Sequence, residues 1–71
     1  MIMAKKHYSL IGVDGNAFCI MGYVRNAMKE TGYTRLEIED YSKDATSSDY
    51  NHLLMVSVDQ IEDCNKRLKY N

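Results

Sequence analysis

Apolar positions along the chain fall into four runs separated by short polar breaks, and their spacing predicts a mainly α domain with one N-terminal β-strand and three helices. The first run, His7 to Val13, is too short for a helix, is rich in β-formers and stops at Asp14-Gly15, so it predicts a strand over about 7–13. Its apolar side chains alternate to both faces, Tyr8 and Leu10 on one and Ile11 and Val13 on the other, which predicts a strand covered at least partly on both sides. A lone strand leaves its backbone donors and acceptors unpaired. It therefore calls for a partner, either the C-terminal segment near Leu68 to Tyr70 or the same strand of a second chain.

The second run predicts a helix over about 16–31, with Phe18, Met21, Val24, Ala27 and Met28 at helical spacing and Gly32 placed to end it in the left-handed conformation. Asp14 or Asn16 supplies the N-terminal cap, and Gly15 gives the turn freedom to take positive φ. Ile20 and Tyr23 widen the apolar surface, so this helix is expected to be covered from two sides. The third run, Arg35 to Glu39, alternates as a strand would, but Thr34 and Glu37 have the spacing of a capping box, and Ile38, Tyr41 and Ala45 follow at three and four. A helix over about 35–45 follows. Thr46-Ser47-Ser48 breaks it, and Asp49 in the next first turn complements the dipole of a third helix over about 49–66. Tyr50, Leu53, Leu54, Val58, Ile61, Cys64 and Leu68 form its apolar face.

The chain has 71 residues with no proline, no internal repeat and no linker, so 1–71 is expected to be one small domain, with 1–6 a flexible basic N-terminus. A core this small usually needs a disulfide, a metal or a partner chain beside it. The two cysteines, Cys19 and Cys64, sit among apolar neighbours in a chain whose start lacks the zones of a secretory signal, which predicts buried structural thiols in a reducing cytoplasm. No apolar run approaches the ~18 residues that span a bilayer. Of the three supports, a partner chain is the one the sequence favours.

Net charge is −1, so no strong overall field recruits nucleic acid or acidic partners. Charge is nonetheless uneven: Lys5, Lys6 and His7 open the chain, Lys66, Arg67 and Lys69 close it, and Glu37, Glu39, Asp40, Asp44 and Asp49 make the middle acidic. The plainest reading of both basic ends is solvated lysine-rich termini, ahead of a binding patch.

Three clusters invite a chemical reading, and each has a simpler structural one. Asp14-Gly15-Asn16 at a turn before a helix resembles an anion loop, yet Asp14 places negative charge where an anion would sit, and a cap is the better account. Asp49 and His52 pair at i and i+3 beside Ser48, Tyr50 and Asn51, as a metal ligand or general base would, but no second histidine or carboxylate pair completes such a site. Carboxylates also recur at Glu37, Asp40 and Asp44 and at Asp59, Glu62 and Asp63 without the glycine and ligand spacing of a calcium loop, which describes solvated helix faces. No catalytic, metal or cofactor residues are assigned.

Six tyrosines without a tryptophan are many for one small core. Tyr41 and Tyr50 fit the apolar helix faces, whereas Tyr8, Tyr23 and Tyr33, with Leu10, are expected as an association surface, since interface centres are enriched in such types. The leading expectation is thus a non-enzymatic protein-interaction module, joined to a second copy through the strand edge or the tyrosine-rich surface. A nucleic-acid contact by the second and third helices is the alternative, opposed by Asp59, Glu62 and Asp63 on the helix that would enter the groove. A ligand-binding or metal-assisted enzyme centred on Asp49 and His52 comes third.

The stretches Leu10-Ile11-Gly12-x-Asp14-Gly15-Asn16-Ala17-Phe18, Val24-Arg25-x-x-Met28 and Ala45-Thr46-Ser47-Ser48-Asp49-Tyr50-x-x-Leu53-Leu54 resemble a group of short bacterial and phage proteins of unassigned function. Such proteins read as a strand, a Gly-x-Asp-Gly-Asn-Ala-Phe helix start, then Ala-Thr-Ser-Gly-Asp-Tyr before a last helix. The chain has Ser48 where that glycine is common, and its C-terminus from Asp63 to Asn71 departs from the pattern. The resemblance implies the fold and a cytoplasmic setting, and carries no activity.

Overall fold

A computed structural model describes residues 7–69 as three helices preceded by an irregular segment. Helix α1 spans Ala17–Glu30, α2 spans Arg35–Ala45 and α3 spans Tyr50–Lys69. Each boundary has a local chemical cause. Asn16 caps α1, its side chain accepting from the Phe18 N–H at 2.8 Å. At the other end Gly32, at φ 91°, lets the chain leave the helix in the left-handed region. The Gly32 and Tyr33 N–H groups then donate to the Lys29 and Met28 carbonyls at 3.3 and 3.0 Å, which satisfies two acceptors the helix itself leaves open.

The capping box of α2 forms as the spacing predicts, with Glu37 N–H donating to Thr34 Oγ1 at 3.1 Å and Thr34 N–H donating to Glu37 Oε1 at 2.8 Å. That second bond, together with the Thr34 hydroxyl, holds the Glu37 carboxyl below the usual carboxylate range. Asp49 caps α3 by accepting from the His52 N–H at 2.9 Å.

Tyr50, at the start of α3, donates its hydroxyl to the Gly15 carbonyl just before α1, while Arg67, near the end of α3, reaches the Thr31 carbonyl just after α1 at 3.2 Å. Helices α1 and α3 therefore run in the same direction, and α2 returns between them. The core contains Ile20, Val24, Ala27 and Met28 from α1, Tyr41 and Ala45 from α2, and Leu53, Ile61 and Cys64 from α3. Ser57 is also fully buried, and its hydroxyl is satisfied by the Tyr41 phenol at 2.6 Å.

Several expectations change at this level. Among the described residues there is no strand, and the segment 7–13 runs without regular structure into a turn closed by Val13 N–H and the Leu10 carbonyl at 3.1 Å. Of its expected C-terminal partner, Leu68 lies in α3 and Tyr70 lies outside the described residues, as does the basic stretch 1–6. The positive φ expected at Gly15 is found instead at Gly12, at 87°, because the chain reverses one turn earlier, at Leu10 to Val13. Phe18 is exposed rather than on the apolar face, and Cys19 is exposed while Cys64 is buried, so one thiol of the pair is structural. Helix α3 runs on to Lys69, beyond its expected end near 66.

Candidate interaction surface

The question posed by a lone extended segment, where its backbone hydrogen bonds go, has a specific answer. The Asn65 side-chain amide on α3 faces the backbone of Tyr8, accepting from its N–H at 2.8 Å and donating to its carbonyl at 2.9 Å. This pair of bonds reproduces what a neighbouring strand would offer. The next donor, Ser9 N–H, is met by the Tyr23 hydroxyl of α1 at 2.9 Å. The backbone edge expected to recruit a strand is thus closed, at Tyr8 and Ser9, by side chains of two helices.

That arrangement also accounts for the tyrosines expected as an association surface. Tyr8 is 5 % exposed and belongs to the core, with its ring edge-on to Tyr23 and its hydroxyl donating to Glu30 Oε1 at 2.5 Å. Burial, reinforced by the Glu30 carboxylate, pushes the Tyr8 phenol up to about 12. Tyr23 is half-buried against the N-terminal segment, and Tyr33 lies beneath Arg67, whose guanidinium carbon is 3.5 Å from the ring centroid. Leu10 packs at the edge of the core. Tyr8 therefore leaves the expected surface, and the other three are largely committed within the chain.

The clusters read for chemistry are likewise occupied. Asp14 Oδ1 accepts from the Asn16 N–H at 2.9 Å, and Asn16 Oδ1 from the Phe18 N–H, so two of the donors that an anion would use at the start of α1 are already met. A side chain at Gly15 would meet only the Tyr50 hydroxyl, at an ordinary 3.5 Å. Asp49 is the cap of α3, and His52 Nε2 lies 3.0 Å from Asp44 Oδ1 on α2. Among the described residues no group of three or more histidine, cysteine or acidic side chains has an arrangement that could hold a metal ion. Of the acidic side chains on α2 and α3, Glu39 pairs with Arg35 at 3.4 Å, Asp44 with His52 at 3.0 Å and Asp63 with Lys66 at 3.9 Å. Asp59, Glu62 and Asp63 are exposed along α3, a face that repels phosphate. Among the described residues no helix is long and apolar enough to cross a membrane.

What the sequence reading missed is an apolar strip on the outer side of α3. Ile11 is 93 % exposed, Met55 67 %, Val58 45 % and Tyr50 44 %, with Leu54 half-buried among them. Ile11 and Val58 line a groove of about 330 Å³ between the N-terminal segment and α3, together with Tyr8, Ile61, Glu62 and Asn65. Leu54, Met55 and Val58 line an adjoining depression of about 280 Å³, with Asp59 at its rim. The geometry follows from the helical period. Residues 50, 54 and 58 recur at four along α3 and flank the buried row of Leu53, Ser57, Ile61 and Cys64. One apolar stripe is therefore wider than the α1 and α2 surfaces that cover it. The signal was present in the sequence as a stripe including Val58 and Leu54, but which edge stays uncovered depends on where α1 and the N-terminal segment lie.

Compared with known proteins, the chain matches no family model, no curated protein and no solved structure.

Proposed function

We propose that this chain is a non-enzymatic protein-interaction module of the cytoplasm that associates with a second copy of itself through the apolar strip of α3. The observation that carries the reading is that Val58 joins two adjoining grooves on the outer side of α3, one lined by exposed Ile11 and the other by exposed Met55. Scattered exposed apolar residues are ordinary, whereas an adjoining set rimmed by polar groups such as Asp59, Glu62 and Asn65 marks an association surface. The small core supports the same reading, because burying the strip against a second copy adds apolar contact that 71 residues cannot supply alone. Cys19 and Cys64 are free thiols, which supports a reducing compartment.

This version moves the contact from the tyrosine-rich surface to α3 and from strand addition to helix packing. Sedimentation velocity between about 1 and 100 μM, a range in which weak homodimers of standard interface size dissociate, tests it. The sedimentation coefficient should rise with concentration for the native chain and stay at the monomer value for Val58→Asp. A native chain that remains monomeric throughout would end the proposal.

A further inference from the structure

We infer that His52 is a proton-controlled staple that ties the end of α2 to the start of α3. His52 Nε2 sits 2.9 Å from the Asp44 carbonyl oxygen, 3.0 Å from Asp44 Oδ1 and 3.4 Å from Ser47 Oγ. The same Asp44 carbonyl accepts from the Ser47 N–H at 3.1 Å and from the Ser47 hydroxyl at 2.7 Å. With its own hydrogen committed there, Ser47 Oγ can only accept from the ring. All three oxygens facing Nε2 are thus acceptors, so Nε2 carries a hydrogen and the titrating nitrogen is Nδ1.

Protonation at Nδ1 converts a neutral hydrogen bond into a charge-assisted one, shared between a carboxylate and a carbonyl at the negative end of the α2 dipole. The charged groups acting on the imidazole are Asp44 from α2 and Asp49 from the cap of α3, and both are acidic. The hydrogen bond to Asp44 leads in raising the His52 pKa above its ordinary value, with smaller contributions from the two carboxylate charges; partial burial opposes it. The side chain is 34 % exposed, so solvent protons reach it without any opening of the fold. A raised folded pKa gives a stabilisation that is complete below the ordinary histidine pKa and is lost as pH rises through the raised value. The turn over residues 46–49 is therefore gripped below the ordinary histidine pKa and loosened as pH rises through the raised one.

This inference does not depend on self-association, and its test does not read it. The first measurement is a proton NMR titration of His52 in the folded chain and in the same chain unfolded in urea. The midpoint should be higher when folded, and Asp44→Asn, which keeps an acceptor but removes the charge, should bring it down towards the unfolded value. The second is amide exchange at Thr46 and Ser47, whose N–H groups donate to Ser42 and Asp44 carbonyls at 3.2 and 3.1 Å. Their protection, corrected for intrinsic exchange, should fall roughly twofold to fivefold as His52 deprotonates, the scale of an exposed charge pair. A folded midpoint at or below the unfolded one, a midpoint untouched by Asp44→Asn, or pH-independent protection would each overturn the staple.

Discussion

Replacing Asn65 with alanine should release the N-terminal segment from the helices, and the cost can be worked from the bonds it removes. The native amide both accepts from and donates to the Tyr8 backbone, at 2.8 and 2.9 Å, in a partly buried position. Each such bond contributes a net ~0.5–1.5 kcal/mol, and a buried group left without a partner costs ~1–3 kcal/mol. Water can reach part of the site through the groove beside Asn65, so the lower half of those ranges applies, and Asn65→Ala should cost about 2 kcal/mol. For a domain of this size that corresponds to a fall in Tm of roughly 8–16 °C. Urea unfolding followed by helix circular dichroism measures it directly.

Asn65→Asp separates the two bonds, because a carboxylate accepts from the Tyr8 N–H but repels the Tyr8 carbonyl, whereas a neutral carboxyl can accept and donate as the amide does. The folded state then favours the protonated form and raises the pKa of the introduced group. Its stabilisation is present below the ordinary carboxylate pKa and is lost as pH rises through the raised value. The variant should thus be about as destabilised as Asn65→Ala at pH 7 and recover towards the native chain near pH 4. An Asn65→Ala chain within about 0.5 kcal/mol of native stability, the scatter of ordinary surface substitutions, would refute the assignment of Asn65 as the segment's backbone partner.

Other consequences are independent of that clamp. Tyr41→Phe or Ser57→Ala alone breaks the 2.6 Å bond in the core and should cost roughly 1–2 kcal/mol in urea unfolding, while the double variant should cost less than the sum, since no unpaired hydroxyl remains. Gly32→Ala forces a side chain into positive φ and should destabilise by about 1–2 kcal/mol, whereas Gly15→Ala, without that φ and with only an ordinary contact to Tyr50, should stay within about 0.5 kcal/mol in the same assay. The lowered Glu37 pKa gives a contribution present above the ordinary carboxylate pKa and lost as pH falls through the folded value, so acid unfolding of Glu37→Gln should show a flatter pH dependence below about pH 4.5.

The helices were legible because their limits are written locally. The capping box at Thr34 and Glu37, the left-handed Gly32 and the cap at Asn16 each act within a few residues, and the structure realises all three. The N-terminal segment was harder for a physical reason. Its β-forming composition satisfies the rule for a strand, but its backbone partners are the Asn65 amide, 57 residues away, and the Tyr23 hydroxyl, and neither spacing is encoded by any local pattern. Burial of Tyr8 beside exposure of Ile11 follows from that docking rather than from alternation along a sheet. The same limit explains Cys19 and Cys64, which have similar apolar neighbours in sequence and opposite exposure in the fold. His52 and Asp49 were recognisable as a polar cluster, but their partners, an α2 carboxylate and a helix cap, come from how α2 and α3 meet.

Self-association through the outer strip of α3 is read out by sedimentation velocity on the native chain and on Val58→Asp and Met55→Asp across the micromolar range. The native chain should show a concentration-dependent rise to a dimer. Both variants should stay monomeric while keeping native helix content, because the two residues are exposed in the single chain. A dimer that survives both substitutions, or a native chain that never leaves the monomer, would contradict it.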